Sequence, residues 1–187
     1  MNKPRRFLSI LPAMLLWAML ASFFWSWIFG FITDTTPDRK ITIFADMQTC
    51  RETELAVTLE QDLPEGIRMV RVRRFAHAMM NSTSLRAADL YIVPVCDLET
   101  YRDWFAPLPE SLRDGFTLSA ADGTPLGLPL YDSSAGLSIG EAFLGYDHPE
   151  HPGEAYVLVF GAAGPHEPRQ LLPVVRTLLN QTESVKE

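Results

Sequence analysis

The chain is 187 residues long with 16 Lys+Arg against 23 Asp+Glu, a formal charge of -7, but residues 1–33 hold Lys3, Arg5 and Arg6 and no acid, so the other 154 residues carry 13 basic and 23 acidic side chains, a balance of -10. A segment that acidic is not a general nucleic-acid binder, because phosphate contacts need a basic field. With 47% hydrophobic and 21% charged residues the chain is not disordered, and 154 residues suffice for one core but not for two.

Residues 1–6 form a short basic terminus. From Phe7 to Thr33 there are 27 residues without Asp, Glu, Lys, Arg or His, more than the roughly 20 a helix needs to cross a bilayer. A cleavable signal peptide has a shorter apolar region and an A-x-A-like site. Here the stretch ends in FGFITDTTP, so 7–33 is expected to be an uncleaved transmembrane signal anchor. Lys3, Arg5, Arg6 and the terminal amine outweigh Arg39 and Lys40. The positive-inside rule then places the amino terminus in the cytoplasm and the rest outside the cell membrane. Ala18, Ser22, Ser26 and Gly30 recur every four residues and line one helix face, where a second membrane helix could pack closely.

Residues 34–39 read as a polar linker and 40–187 as an α/β domain. Lys40 to Asp46 (KITIFAD) predicts a buried strand. Leu55, Leu59 and Leu63 then mark an amphipathic helix over 50–63, ended by Pro64 and Gly66. A second strand follows at 67–73, a helix at about 75–87, and a third strand within 88–95, with Pro94 near its end. Short connections between alternating strands and helices predict a three-layer, mostly parallel sheet with helices on both faces, its first strands ordered 2-1-3. The second strand is then near an edge, and Arg68, Arg71, Arg73 and Arg74 are charges that discourage edge pairing. Beyond it come a short helix at 98–104, a hairpin turn at Asp122-Gly123 leading into a strand, a polar loop at 145–154, a strand at 156–162 and a helix at about 168–180.

Candidate chemistry is sparse. Asp46, Asp97 and Asp132 each lie at or just after a predicted strand, and ligands of open α/β sheets bind outside the carboxyl ends of strands. With Gln48, Thr49 and Ser133 they could contact a polar or cationic ligand; helix capping explains Asp46 and Asp97 equally well. Cys50 and Cys96 follow neighbouring strands and could form a disulfide outside the cytoplasm, free thiols being the alternative. His148 and His151 sit in DHPEHPGE, a solvated loop rather than a metal site, which needs three or four positioned ligands. His77 and His166 have no partner that sequence identifies. No nucleophile and base, H-E-x-x-H, G-x-S-x-G or Walker pattern occurs, so no enzyme, metal or cofactor is expected.

KITIFAD, ADLYIVPVCDLETYRDWFAPLP, GTPLGLPLYDSS and VLVFGAAGPHEPRQLLPVVRTLL occur in that order. Over about residues 40–180 the chain resembles the first lobe of the extracellular solute-binding proteins of ABC transporters. The resemblance implies one lobe of a periplasmic-binding-protein-like fold and a non-catalytic role in binding or sensing a small solute. The 24 residues from Ser133 to Tyr156 leave no room for a second lobe, and an apolar helix replaces the lipid-modified Cys of many anchored members. The alternative expectation is an interaction protein that docks on another membrane or envelope protein.

Overall fold

A computed structural model describes residues 3–33, 36–74, 83–113, 117–147 and 152–182, with side-chain surroundings in the first stretch given for 12–28. The chain divides into two units, Met1–Thr36 and Pro37–Glu187.

The first unit is a helix, α1 (Lys3–Thr33), with Pro12 inside it. Its large apolar side chains between Met14 and Trp27 are 53% to 82% exposed, with no polar face to turn toward water. Among the described residues no helix is long and apolar enough to cross a membrane. Ala18, Ser22 and Ser26 are exposed on α1; Gly30 lies within the helix, beyond its described side chains.

The second unit holds β1 (Lys40–Ala45), α2 (Glu52–Leu59), β2 (Met69–Arg74), α3 (Thr83–Arg86), β3 (Leu90–Pro94), β4 (Phe105–Ala106), β5 (Leu118–Ser119), β6 (Pro125–Asp132), β7 (Leu137–Ser138), β8 (Tyr156–Gly161) and α4 (Pro168–Leu179). The sheet runs β2-β1-β3-β8-β6-β5, with β4 beside β8 and β7 beside β6. The expected 2-1-3 order is present, and β1 is parallel to both β2 and β3. The remaining described pairings, β3 with β8, β4 with β8, β5 with β6, β6 with β7 and β6 with β8, are antiparallel. The sheet is therefore mixed and open, not mostly parallel. A parallel return needs a crossover of a dozen or more residues, usually helical. Between β6 and β8 the described residues contain no helix, so β8 enters from the edge at which β6 ends and runs back beside it.

Strands β3 and β8 lie in the middle of the sheet and are buried almost throughout, whereas β2, at the edge, alternates half-buried and buried positions before ending in two exposed arginines. On one face, Ile41, Ile43, Val70, Val72, Ile92, Leu158 and Phe160 pack with Leu55 and Leu59 of α2 and Leu171, Val174, Val175 and Leu178 of α4. On the other, Phe44, Tyr91, Val93, Val157 and Val159 pack with Leu85 of α3, Leu98 and Phe105. The layers are unequal: α2 and α4 cover the first face, and α3 with irregular chain covers the second.

Local chemistry accounts for the element ends. Helix α2 passes into a 3-10 turn at Glu60–Asp62 before Pro64, which has no amide hydrogen to extend it. Helix α4 begins with Pro168 in its first turn and with the Glu167 amide donating to Gln170 Oε1 at 3.0 Å, both favourable at a helix start. The hairpin turn is as expected: Gly123 has φ +81, and Ala120 and Thr124 close it, the Ala120 amide donating to the Thr124 carbonyl at 2.9 Å. The helix expected at 98–104 is instead two 3-10 turns, Val95–Asp97 and Arg102–Trp104, with Tyr101 at φ -109 and ψ 23 interrupting them. Of the helix expected at 75–87, Thr83–Arg86 forms α3, and 75–82, with His77, lies outside the described residues.

Candidate functional site

Strands β1 and β3 are parallel, and β6 runs the same way because it is antiparallel to β8, which is antiparallel to β3. The carboxyl ends of β1, β3 and β6 therefore lie along one edge of the sheet with the start of β8, Tyr156.

Two loops are laced together above this edge. The Gln48 amide donates to the Asp147 carbonyl at 3.2 Å, the Gly145 amide to the Thr49 carbonyl at 2.9 Å, and the Arg51 amide to the Phe143 carbonyl at 2.9 Å; Cys50 and Leu144 form an antiparallel bridge. Gly145 permits this approach, since a Cβ there would lie 2.7 Å from Thr49 Cβ and 2.8 Å from its carbonyl oxygen. Asp147 accepts from the Thr49 amide at 3.0 Å and from the Thr49 hydroxyl at 2.6 Å. Burial opposes its ionisation, but these bonds outweigh that and hold its carboxyl below the usual carboxylate range.

Three tyrosines, one of them in the second loop, cluster at this edge. Tyr131 and Tyr146 stack with centroids 4.8 Å apart, and Tyr156 meets Tyr146 at 5.3 Å and Tyr131 at 6.5 Å. Tyr146 adopts φ 45, a left-handed conformation that a bulky residue rarely takes, and its hydroxyl donates to the Ile139 carbonyl. The Tyr156 hydroxyl is buried without a hydrogen-bond partner among the described residues. Burial pushes its pKa far up, and the charges of Asp46, Asp147 and Asp97 and the Cys96 thiol push it further. It is a neutral donor facing a negative surround.

The expected site residues separate into two groups. Half-buried Asp46, whose amide donates to the Ile92 carbonyl at 2.8 Å, and half-buried Asp97, in the turn after β3, both bear on the Tyr156 phenol. Gln48 and Thr49 are exposed in the first loop. Asp46 does not cap α2, whose N-cap is Arg51 with no side-chain bond, and after Asp97 the chain forms 3-10 turns in place of the helix it was expected to cap. Asp132 is elsewhere along the edge and occupied: it accepts from the Ser134 amide at 2.9 Å, the Ser134 hydroxyl at 2.6 Å and the Ala135 amide at 3.3 Å. Beside exposed Ser133, it borders a shallow apolar groove of about 430 Å³ with Leu128, Pro129, Leu137 and Leu179.

Of the two alternatives, Cys50 and Cys96 are free thiols here, half-buried and exposed respectively. Cys50 is held in the ladder with Leu144, while Cys96 is in the turn after β3. Burial, seconded by Glu52 at Cys50 and by Asp97 at Cys96, pushes each to about 11, so neither is a ready nucleophile. Among the described residues no three His, Cys, Asp or Glu side chains are grouped as metal ligands; His148 and His151 lie outside them.

A buried polar pair that the sequence does not announce lies at the opposite edge. His166 Nδ1 is 2.8 Å from Asp89 Oδ1, and Nε2 is 3.1 Å from the Asp38 carbonyl oxygen. Asp89 also accepts from the Thr42 amide at 2.8 Å and the His166 amide at 3.3 Å. Both ring nitrogens of His166 thus lie within hydrogen-bond distance of an oxygen. The partners are 77 residues apart, which is why no local pattern reveals them.

Compared with family models, curated proteins and solved structures, the chain matches none.

Proposed function

We propose that this chain is a membrane-anchored, extracytoplasmic binding or sensing module, non-catalytic, built on one solute-binding-like lobe. The observation that carries the reading is the Tyr156 hydroxyl, a buried donor with no acceptor among the described residues, set where the carboxyl ends of three strands meet and where Asp46, Asp97 and Asp147 concentrate negative charge. A buried polar group without a partner costs free energy. A solute that accepts from the phenol and donates to Asp46 and Asp97 would recover that cost. Amines and polyhydroxy compounds have this chemistry. The large apolar side chains exposed on α1 between Met14 and Trp27 support the anchor, because exposed apolar surface of that extent needs an apolar covering.

The test is a thermal-shift screen of the full chain in nanodiscs against amines, amino acids, sugars and peptides, for wild type and Tyr156→Phe. Stabilisation of wild type by one of these classes, lost in the variant, is expected. A flat response to every compound would overturn the binding role. The groove beside Asp132 favours a second reading, an interaction protein, because its lining is mostly apolar; a crosslinked envelope partner lost in Leu137→Asp would support it.

A further inference from the structure

Two carboxylates where β3 and β8 meet are left without a counter-charge. The strands pair Pro94 with Tyr156, and the Val95 amide donates to the Ala155 carbonyl at 2.8 Å. Continued by one position, the same antiparallel register brings Cys96 level with Glu154, with Asp97 next to it. Asp97 and Glu154 are half-buried and Cys96 is exposed. Burial, then Asp97, Glu154 and Asp46, push the Cys96 thiol up, so both carboxylates are close to that sulfur. The ion pairs among the described residues use Glu52, Glu54, Asp89 and Asp122; the Asp97 and Glu154 side chains are in none and have no other partner there. Asp46 is otherwise engaged and Asp147 is bound to Thr49, so neither is counted as available. An acidic pair by itself is an ordinary solvated patch. This one adjoins the Tyr156 hydroxyl, which belongs to a residue 0% exposed, has no partner among the described residues, and feels the charge of Asp97 and the Cys96 thiol.

The two features ask for different groups on one ligand. Half-buried carboxylates without a counter-ion favour a cation. Among the described residues no three side chains are grouped for a metal, whereas an ammonium, with three N–H donors, is held by two carboxylates. The phenol donates and needs an oxygen acceptor. An anionic acceptor is repelled by the same carboxylates, which leaves a neutral hydroxyl or ether oxygen. We propose that Asp97, Glu154 and Tyr156 form the binding site for an amino alcohol, whose protonated amine lies between the two carboxylates while its adjoining hydroxyl accepts from the Tyr156 phenol. This names the solute class of the binding role proposed above and rests on it. The phenol is buried deeper than either carboxylate, so the hydroxyl is innermost and the ammonium outermost, beside Cys96. A plain polyol leaves the carboxylates without a cation, and a plain amine leaves the phenol without an acceptor.

The test measures maleimide labelling of Cys96 by peptide mass spectrometry, on the full chain in nanodiscs at pH 7, with three probes that share one ring: 2-aminocyclohexanol, cyclohexylamine and 1,2-cyclohexanediol. The amino alcohol is expected to slow labelling at a half-saturating concentration roughly tenfold below that of either single-function probe. Glu154→Gln should raise that concentration roughly tenfold, and Tyr156→Phe should bring the amino alcohol to the level of cyclohexylamine, a selective loss that a merely structural role would not produce. A diol as potent as the amino alcohol would overturn the proposal by removing the need for a cation, and an equally potent cyclohexylamine would overturn it by removing the phenol. Because the comparison of probes is made on wild type, it does not depend on a variant folding. Stabilisation of the chain by some other compound, without any protection of Cys96 by the three probes, would sink this site and leave the binding role standing. No response to any compound in either assay would remove both.

Discussion

Tyr156 and the Asp89–His166 pair are opposite answers to burying a polar group. The phenol has no partner among the described residues, so Tyr156→Phe removes a desolvation cost and leaves the packing intact. The free protein should gain about 1 kcal/mol, measured by urea unfolding, while any stabilisation by solute is lost. The pair is fully satisfied, with side chains 3% and 0% exposed. His166→Ala would leave the Asp89 carboxyl buried with its ring partner gone, at a cost of roughly 3–5 kcal/mol. Burial raises Asp89 above its ordinary value of 3.8, against the bonds from Thr42 and His166. Its folded value thus exceeds its unfolded one, so its contribution is greatest below about pH 3.8 and declines as the pH rises toward the folded value. Asp89→Asn should flatten that part of a stability-against-pH curve. As for the thiols, thiol titration under denaturing conditions without reductant should return both cysteines.

At the scale of elements, the central strands set the tolerances. Gly161 ends β8 where a Cβ would lie 2.0 Å from the Ala88 carbonyl oxygen, a backbone atom that cannot turn aside. Gly161→Ala should therefore destabilise by about 1–3 kcal/mol or more, visible as a lower unfolding midpoint in urea. Most strands and both long helices of the domain were legible from apolar runs and 3.6-residue spacing: KITIFA, LYIVP and YVLVFG, and Leu55 with Leu59. The direction of β8 was not, because pairing direction depends on whether a crossover precedes the strand, and a run buried on both faces reads the same either way. Nor was the Tyr131, Tyr146 and Tyr156 cluster legible, since its members come from β6, a loop and β8 and meet only across the sheet edge.

For the whole molecule, the carboxylates give an acid limit. Hydrogen bonds from Thr124, Ser134 and Thr49 hold Asp122, Asp132 and Asp147 below 3.8, in Asp147 against burial. A depressed folded value means stability present above pH 3.8 and lost as the pH falls through the folded values. Asp147→Asn should lessen that loss and loosen the two loops, read as faster amide exchange at Thr49. With α1 as a membrane anchor, the full chain should stay with membranes through alkaline carbonate washing, and a chain lacking residues 1–33 should not.

Composition alone divided the chain at Thr33, because an uncharged apolar run and an acidic segment differ in charge and hydropathy along the chain itself, and apolar runs located the strands, whose periodicity is a local property. Of the proposed acidic site, Asp46 and Asp97 could be named from the sequence because residues after parallel strands face a common edge. Tertiary structure alone decided that Asp132 is spent on its own turn, that Asp147 joins Thr49 across 98 positions, that the Tyr156 hydroxyl is left without an acceptor among the described residues, and that Glu154 comes level with Cys96 beside Asp97. Those are facts of register and burial, set by which strands pair and in which direction, and no local stretch of sequence contains them.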